Sequence, residues 1–414
     1  MNLLFIHGNF PGQFKDIAPA LAKHSAGRTV FLTLSNNPQN IVLNGVELRQ
    51  FKLHRDVDPT THTYLQQAEL AVLKGQAVVR ALNQLMVEGF MPDVVICHGG
   101  MGFGIYVKAL LPTVRLITYL EWYFTIANSD SLLREPSIND HLKLETRNLP
   151  LLQEMVHADR MVCPTAWQRQ QFPELLRDRI EVIFDGVDGS FFCPGPPQDP
   201  LLLETGQDAP LQFSADQLLL SYGTRGMEPL RGFPEFMRAA AAAQQRYPQL
   251  QVVVFGNDRS AYGYNSSHES GSWKQQLLEE LDGQLDGSRL HFTGLLTYGE
   301  LVELFRRSDL HCYFTRPYVV SWGVFQAAAC GANLLVNRFS GMDEVFEQPP
   351  ELPAVDLEDQ AAVTAAVLAG LEQQLQSRDK APAAAGRSNL KTGLDLQSSL
   401  LEWKKLLNPS DVET

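Results

Sequence analysis

Short runs of continuously apolar residues recur along the chain, and longer stretches with helical spacing separate them. NLLFIH at 2–7, TVFLTL at 29–34, DVVIC at 93–97, RLITYL at 115–120, RMVCP at 160–164 and EVIFDG at 181–186 form a first series. Between them lie segments such as 65–88, whose apolar residues recur near helical spacing. Strands that are apolar on both faces and alternate with helices predict a parallel sheet covered on each side. The pattern restarts with QLLLSYG at 217–223, then QVVVFG at 251–256, RLHFTG at 289–294, DLHCYF at 309–314 and ANLLVN at 332–337. Helices are expected at 233–246, near 272–282 and at 298–307. The reading is α/β, with two doubly wound parallel-sheet domains in series.

The break between the series is compositional. CPGPPQDP at 193–200 holds four prolines in eight positions, which stiffens the chain and stops any helix. The first domain is therefore expected over 1–195 and the second over 205–385. A loop-like stretch at 377–389 then leads to a last helix at about 390–410, containing LEWKKLL.

Charge and cysteine content narrow the classes of partner. The net charge of −13 over 414 residues argues against nucleic acid. The charge is uneven, with −2 on residues 1–195 and −11 on the rest. A near-neutral first half leaves room for a peripheral contact with an anionic membrane face. No run is long and apolar enough to span a bilayer. The N-terminus reads as a strand and not as a signal peptide, so a cytoplasmic location is expected. The five cysteines contain no Cys-x-x-Cys pair, which suggests neither a disulfide framework nor zinc.

In open α/β sheets, ligands bind beyond the carboxyl ends of the strands, and several unusual loops fall there. HGNFPGQF at 7–14 places Gly8 and Gly12 after the first strand, where freed backbone N–H groups favour an anion; a tight turn is the plain alternative. The segment lacks the G-x-G-x-x-G spacing of a dinucleotide site. YGTRGMEPLRGF at 222–233 sets Arg225 and Arg231 among Gly223, Gly226 and Gly232. Two guanidinium groups beside such a loop suit a diphosphate, because each can bond phosphate oxygens bidentately. His98 precedes a cluster of glycines at 99, 100, 102 and 104, which favours close approach of a ligand over simple packing. FTRPYVVSWGVFQAAACG at 314–331 runs through Ser321-Trp322-Gly323 into a small-residue helix and contains no carboxylate.

Together these segments resemble the GT-B glycosyltransferases of the GT4 family. FIHGNFPGQF, PDVVICHGG, YLEWYF, PTAWQRQQFP and VIFDGVD carry the likeness in the first half. GTRGMEPLRGF, HFTGLLTYGEL and WGVFQAAACGANLL carry it in the second. The resemblance implies two facing Rossmann-like domains, with the last helix crossing back to domain one and Trp403 as its anchor. It implies a retaining, metal-independent hexosyltransferase. The co-substrate would be a nucleoside-diphosphate sugar, such as a UDP-sugar, and the acceptor a glycan, a lipid or a small molecule. No other cofactor is implied. Arg225 and Arg231 fall where the family places an Arg and a Lys on the donor diphosphate. Gly12, Gly223, Leu295, Ser321, Trp322, Gly323 and Val324 are the further expected donor contacts.

Two departures qualify the likeness. The family carries two glutamates in the last loop; here their positions hold Tyr318 and Gln326. Gln326 can still accept from a ribose hydroxyl, whereas Tyr318 leaves less charge beside the sugar. Where many relatives carry a His after the RLITYL strand, this chain has Glu121-Trp122. Glu121 and His98 are then the candidates for acting on the acceptor. A catalytically altered protein that binds a nucleotide sugar or a partner without transfer is the alternative. A third is another GT-B reaction, such as sugar-nucleotide epimerisation or phosphorolysis, although no lysine stands out for a pyridoxal phosphate.

Overall fold

The computed structural model describes residues 1–37, 40–129, 133–205, 209–378 and 387–407. Much of the loop-like stretch at 377–389 and the last residues of the range expected to be helical, about 390–410, lie outside them. The chain divides into two compact units. Of the described residues, one unit comprises Met1–Ala127, Glu135–Gly186 and those from Gly393 on; the other holds those of Asn128–Arg134 and Val187–Thr392.

The first unit is built on β1 (Leu3–His7), β2 (Thr29–Thr33), β3 (Val46–Gln50), β4 (Val94–His98), β5 (Arg115–Tyr119), β6 (Arg160–Cys163) and β7 (Ile180–Val182). Among the described residues these make one sheet in the order β3-β2-β1-β4-β5-β6-β7. Every neighbouring pair is parallel. The residues of β1, β2 and β4 are buried throughout, as continuously apolar strands require in a sheet covered on both faces. β3 is half-exposed along its length. It is an edge strand, and its VELRQ sequence has no apolar run to announce it.

One face of this sheet is closed by the last helix, Leu396–Leu407. Trp403, at 1% exposure, packs in a cluster with Leu3, Phe5, Phe14 and Ile17. Arg115 also donates to the Leu406 carbonyl. The C-terminal helix thus belongs to the first unit although the whole second unit precedes it in sequence. The opposite face carries Gln66–Val87, a 22-residue helix, whose Ala77, Val78, Leu82 and Leu85 pack on Leu4, Ile6 and Val95.

The second unit opens with a short antiparallel pair, β8 (Leu201–Leu203) and β9 (Leu211–Phe213). Its main sheet contains β10 (Leu218–Gly226), β11 (Leu250–Asn257), β12 (Leu290–Gly294), β13 (Leu310–Tyr313) and β14 (Leu334–Val336). The order is β12-β11-β10-β13-β14, parallel throughout. The helix Phe233–Arg246 returns from β10 and buries Phe236, Met237, Ala240 and Ala243 on it. In each sheet the first strand pairs on one side with the second and on the other with the fourth. Each unit is therefore Rossmann-like, with a topological switch point between β1 and β4 or between β10 and β13.

Candidate active site

The switch point of the first unit is lined by histidines. β1 ends at His7 and β4 at His98, and their rings lie 4.5 Å apart. The Asn9 N–H donates to His7 Nδ1 (2.8 Å), which leaves the His7 proton on Nε2, bonded to Gln13 Oε1 at 2.6 Å. Gln13 Nε2 then donates to Glu121 Oε1 at 3.1 Å. The other Glu121 oxygen stands 3.4 Å from His98 Nε2. Burial, and then the neighbouring His98, push the His7 pKa down to about 3, so His7 is a neutral strut. Burial raises the Glu121 pKa, but His98, His7 and Gln13 outweigh it and hold the carboxyl below its usual range. At 38% side-chain exposure, Glu121 is an ionised acceptor open to a ligand. His98 is 3% exposed, and neither ring nitrogen has a hydrogen-bond partner among the described residues.

Gly12 belongs to this cluster, because a Cβ there would meet the His7 ring at 2.7 Å, and its φ is +54°. It begins a three-residue turn, Gly12–Phe14, and the longer helix starts only at Ile17. Beneath His98, the glycine loop is held by Glu154 of the helix Leu149–His157. Its fully buried carboxyl accepts from the N–H groups of Gly100 and Gly104. Burial outweighs those bonds and lifts its pKa to about 7.

In the second unit GTRG is the end of β10, not a solvated loop, and its glycines serve close packing. A Cβ on Gly223 would sit 1.8 Å from the Phe255 ring, and one on Gly226 would sit 2.5 Å from the Arg259 carbonyl oxygen. Arg231 is 3% exposed. Its Nη1 donates to Thr315 Oγ1 (2.7 Å) and to the Val319 carbonyl (2.8 Å). Nε and Nη2 have no protein hydrogen-bond partner among the described residues. Burial opposes its charge, but Tyr313, Tyr262, Tyr318 and Glu228 raise its pKa, so it is a permanent cation. Arg225 is exposed and donates to the Tyr262 phenol at 3.3 Å. Tyr262 and Tyr318 lie 5.0 Å apart, and the Arg231 guanidinium sits 5.1 Å and 5.5 Å from their ring centres.

The segment after Tyr318 turns at Ser321 into the nine-residue helix Trp322–Cys330. The Ser321 N–H is fixed by the Tyr313 phenol at 2.8 Å. A Cβ on Gly323 would meet only Ser321 Oγ, at 3.7 Å, so packing does not demand a glycine there. The Val324 side chain is buried in the core, which leaves only its peptide group to act. Gln326 is half-buried and makes no side-chain hydrogen bond among the described residues. Leu295, 66% exposed, follows β12 at the sheet edge, on the other side of β10 from these residues. The structure thus gathers Arg225, Arg231 and Tyr318 into one cluster, and His98, Glu121 and Gly12 into another.

Sequence reasoning passed over His7, Gln13, Glu154, Glu228 and Tyr262. His7 and Gln13 lie inside HGNFPGQF, where their polarity beside a strand end was the available signal. The other three had none, because their partners are distant in sequence.

Two family models match the chain: "Glycosyl transferase family 4 group" over residues 25–192 and "Glycosyl transferase-like" over 231–397. The chain belongs to the GT-B glycosyltransferases. Solved structures with the same fold include a sucrose-phosphate synthase from Thermosynechococcus elongatus (TM-score 0.63, 13% identity, 100% of both chains covered). A second, described as trehalose-6-phosphate from E. coli bound with UDP-2-fluoro glucose, has a TM-score of 0.59 at 13% identity, covering 98% of this chain and 99% of that one. A putative UDP-N-acetylglucosamine 2-epimerase from Listeria monocytogenes follows at 0.52 and 15%, covering 99% and 98%. No curated protein matches in sequence. Among the described residues no group of His, Cys, Asp and Glu could hold a metal ion, and no helix is long and apolar enough to cross a membrane.

Proposed function

We propose that this glycosyltransferase moves a hexosyl group from a nucleoside-diphosphate sugar to a hydroxyl of a glycan, lipid or small-molecule acceptor, with retention and without a metal. The observation that carries the reading is Arg231. It is a buried, permanent cation with unused donors at the switch point of the second sheet, with Arg225 beside it. In this reading the arginines and the N-terminus of the helix Trp322–Cys330 bear the charge that develops on the leaving diphosphate. Gln326 holds the donor ribose. The bond between the anomeric carbon and the phosphate oxygen breaks, and the acceptor oxygen takes its place. Glu121 orients the acceptor hydroxyl, being ionised and half-exposed. The hydroxyl proton passes to the leaving phosphate on the same face. A UDP-sugar is the first donor to try, since one structural neighbour is bound to UDP-2-fluoro glucose.

A binding-only protein is the second reading, favoured by Tyr318, which stands against Arg231 where relatives carry a carboxylate. The fold also serves an epimerase, so the product must be identified. The test is incubation with a panel of nucleotide sugars and acceptors in EDTA, followed by NMR of the product. A glycoside with the donor's anomeric configuration is expected. An inverted linkage, an epimerised donor, a need for Mg²⁺ or Mn²⁺, or binding without turnover would overturn the corresponding part.

A further inference from the structure

We infer that Tyr262 is a positioning residue of the diphosphate site, an aromatic brace that holds Arg225 and Arg231 together as one anion clamp. The inference rests on the donor reading above and extends it to a residue that reading does not use. Two like charges placed near one another repel and tend to swing apart into water. Here they share one phenol. The Arg231 guanidinium lies 5.1 Å from the centre of the Tyr262 ring, and the Arg225 guanidinium lies 6.0 Å from it. Arg225 is also tied to the phenol oxygen at 3.3 Å. The electron-rich ring face attracts both cations, and the Tyr318 ring 5.0 Å away extends that face toward Arg231.

The brace is itself built in. Glu228 is fully buried. Its carboxylate accepts from the N–H groups of Ala261 (3.1 Å), Tyr262 (3.1 Å) and Gly263 (2.7 Å). Three backbone donors converging on one buried carboxylate fix the loop and leave little freedom for the residue in its middle. On the other side Gly226 has no Cβ, which lets Ala261 and the Arg259 carbonyl approach the end of β10. A surface tyrosine would need neither device. Held this way, Tyr262 stations Arg225 before any ligand arrives, and binding a diphosphate then costs less ordering of that exposed side chain.

The experiment is calorimetric titration of the full chain with inorganic pyrophosphate, a probe independent of base and sugar. Tyr262→Leu, which keeps bulk without a ring face, is expected to bind about 5- to 10-fold more weakly. Tyr262→Phe keeps the ring and loses only the tie to Arg225, and is expected to stay within about threefold of the parent. Rescue by Phe is the signature, since a residue that merely filled space would be served equally by Leu. If Tyr262→Leu does not fold, Tyr262→Gln on this half-exposed loop carries the same expectation. Unchanged affinity in the ring-less variant, or a loss in Phe as deep as in Leu, would overturn the inference. Arg231→Ala separates the two levels: if it leaves pyrophosphate binding intact, the donor reading falls. If it abolishes binding while Tyr262→Leu does not, only the brace falls.

Discussion

Gly323 is a glycine that no described neighbour requires. A Cβ there would make one ordinary contact at 3.7 Å, in contrast to Gly223, where a Cβ would overlap the Phe255 ring. Space left open at the first turn of a helix, two residues from a serine pinned by Tyr313, is space that would let a ligand approach the backbone. Gly323→Ala should therefore fold with an unchanged melting temperature and yet lose transfer on the order of 10-fold, because a methyl group displaces the donor. Unaltered turnover would return the opening of this helix to plain packing. Sequence identified Gly323 by its neighbours but could not separate it from Gly223. Both are glycines at the end of a strand or the start of a helix, and only the surrounding atoms distinguish them.

At the scale of elements, the helix Leu149–His157 supports β4 through one carboxyl group. Glu154 holds the loop that follows His98 by two backbone N–H groups, and its pKa stands at about 7 against an ordinary 4.5. A raised folded-state pKa means that the native protein keeps this proton more tightly than the unfolded chain. The stabilisation is complete below about pH 4.5 and is lost as the pH rises through about 7. Compared with Glu154→Gln, the parent should lose roughly 3 kcal/mol of stability between pH 4.5 and 8, with a gradient that the glutamine lacks. Denaturant unfolding at the two pH values checks this. Parallel pH profiles for parent and variant would show that the carboxyl is not protonated in the fold.

The elements themselves were largely legible, for a physical reason. Strands buried on both faces are apolar over most of their length, so β1, β2, β4, β10, β11 and β13 announce themselves by their apolar runs. β3 does not, because an edge strand with one wet face can read VELRQ. The three-residue strands β8 and β9 are too short to show any period. Tertiary pairs such as Gln13 with Glu121, 108 residues apart, leave no mark on the local pattern.

Across the whole molecule, the polar chemistry is divided between two Rossmann-like units. Each carries its cluster where the first strand of its sheet meets the fourth. The first cluster is a neutral histidine, an amide, an ionised carboxylate and a second histidine 3.4 Å from that carboxylate, a set suited to orienting a hydroxyl. The second is cationic and aromatic, a set suited to a diphosphate. The charge along the chain does not mirror this division, since the arginines of the second cluster sit in the more acidic half. Their positive field is therefore local, made by two side chains and not by the domain as a whole. That locality makes the account easy to test. The most direct measurement is release of nucleoside diphosphate from the productive nucleotide sugar in the presence of acceptor and EDTA, compared between the parent and Arg231→Ala. The account predicts turnover by the parent and a loss on the order of 10²–10³ in the variant, the usual cost of removing one preorganised charge-stabilising donor. Equal turnover by the two proteins would contradict it.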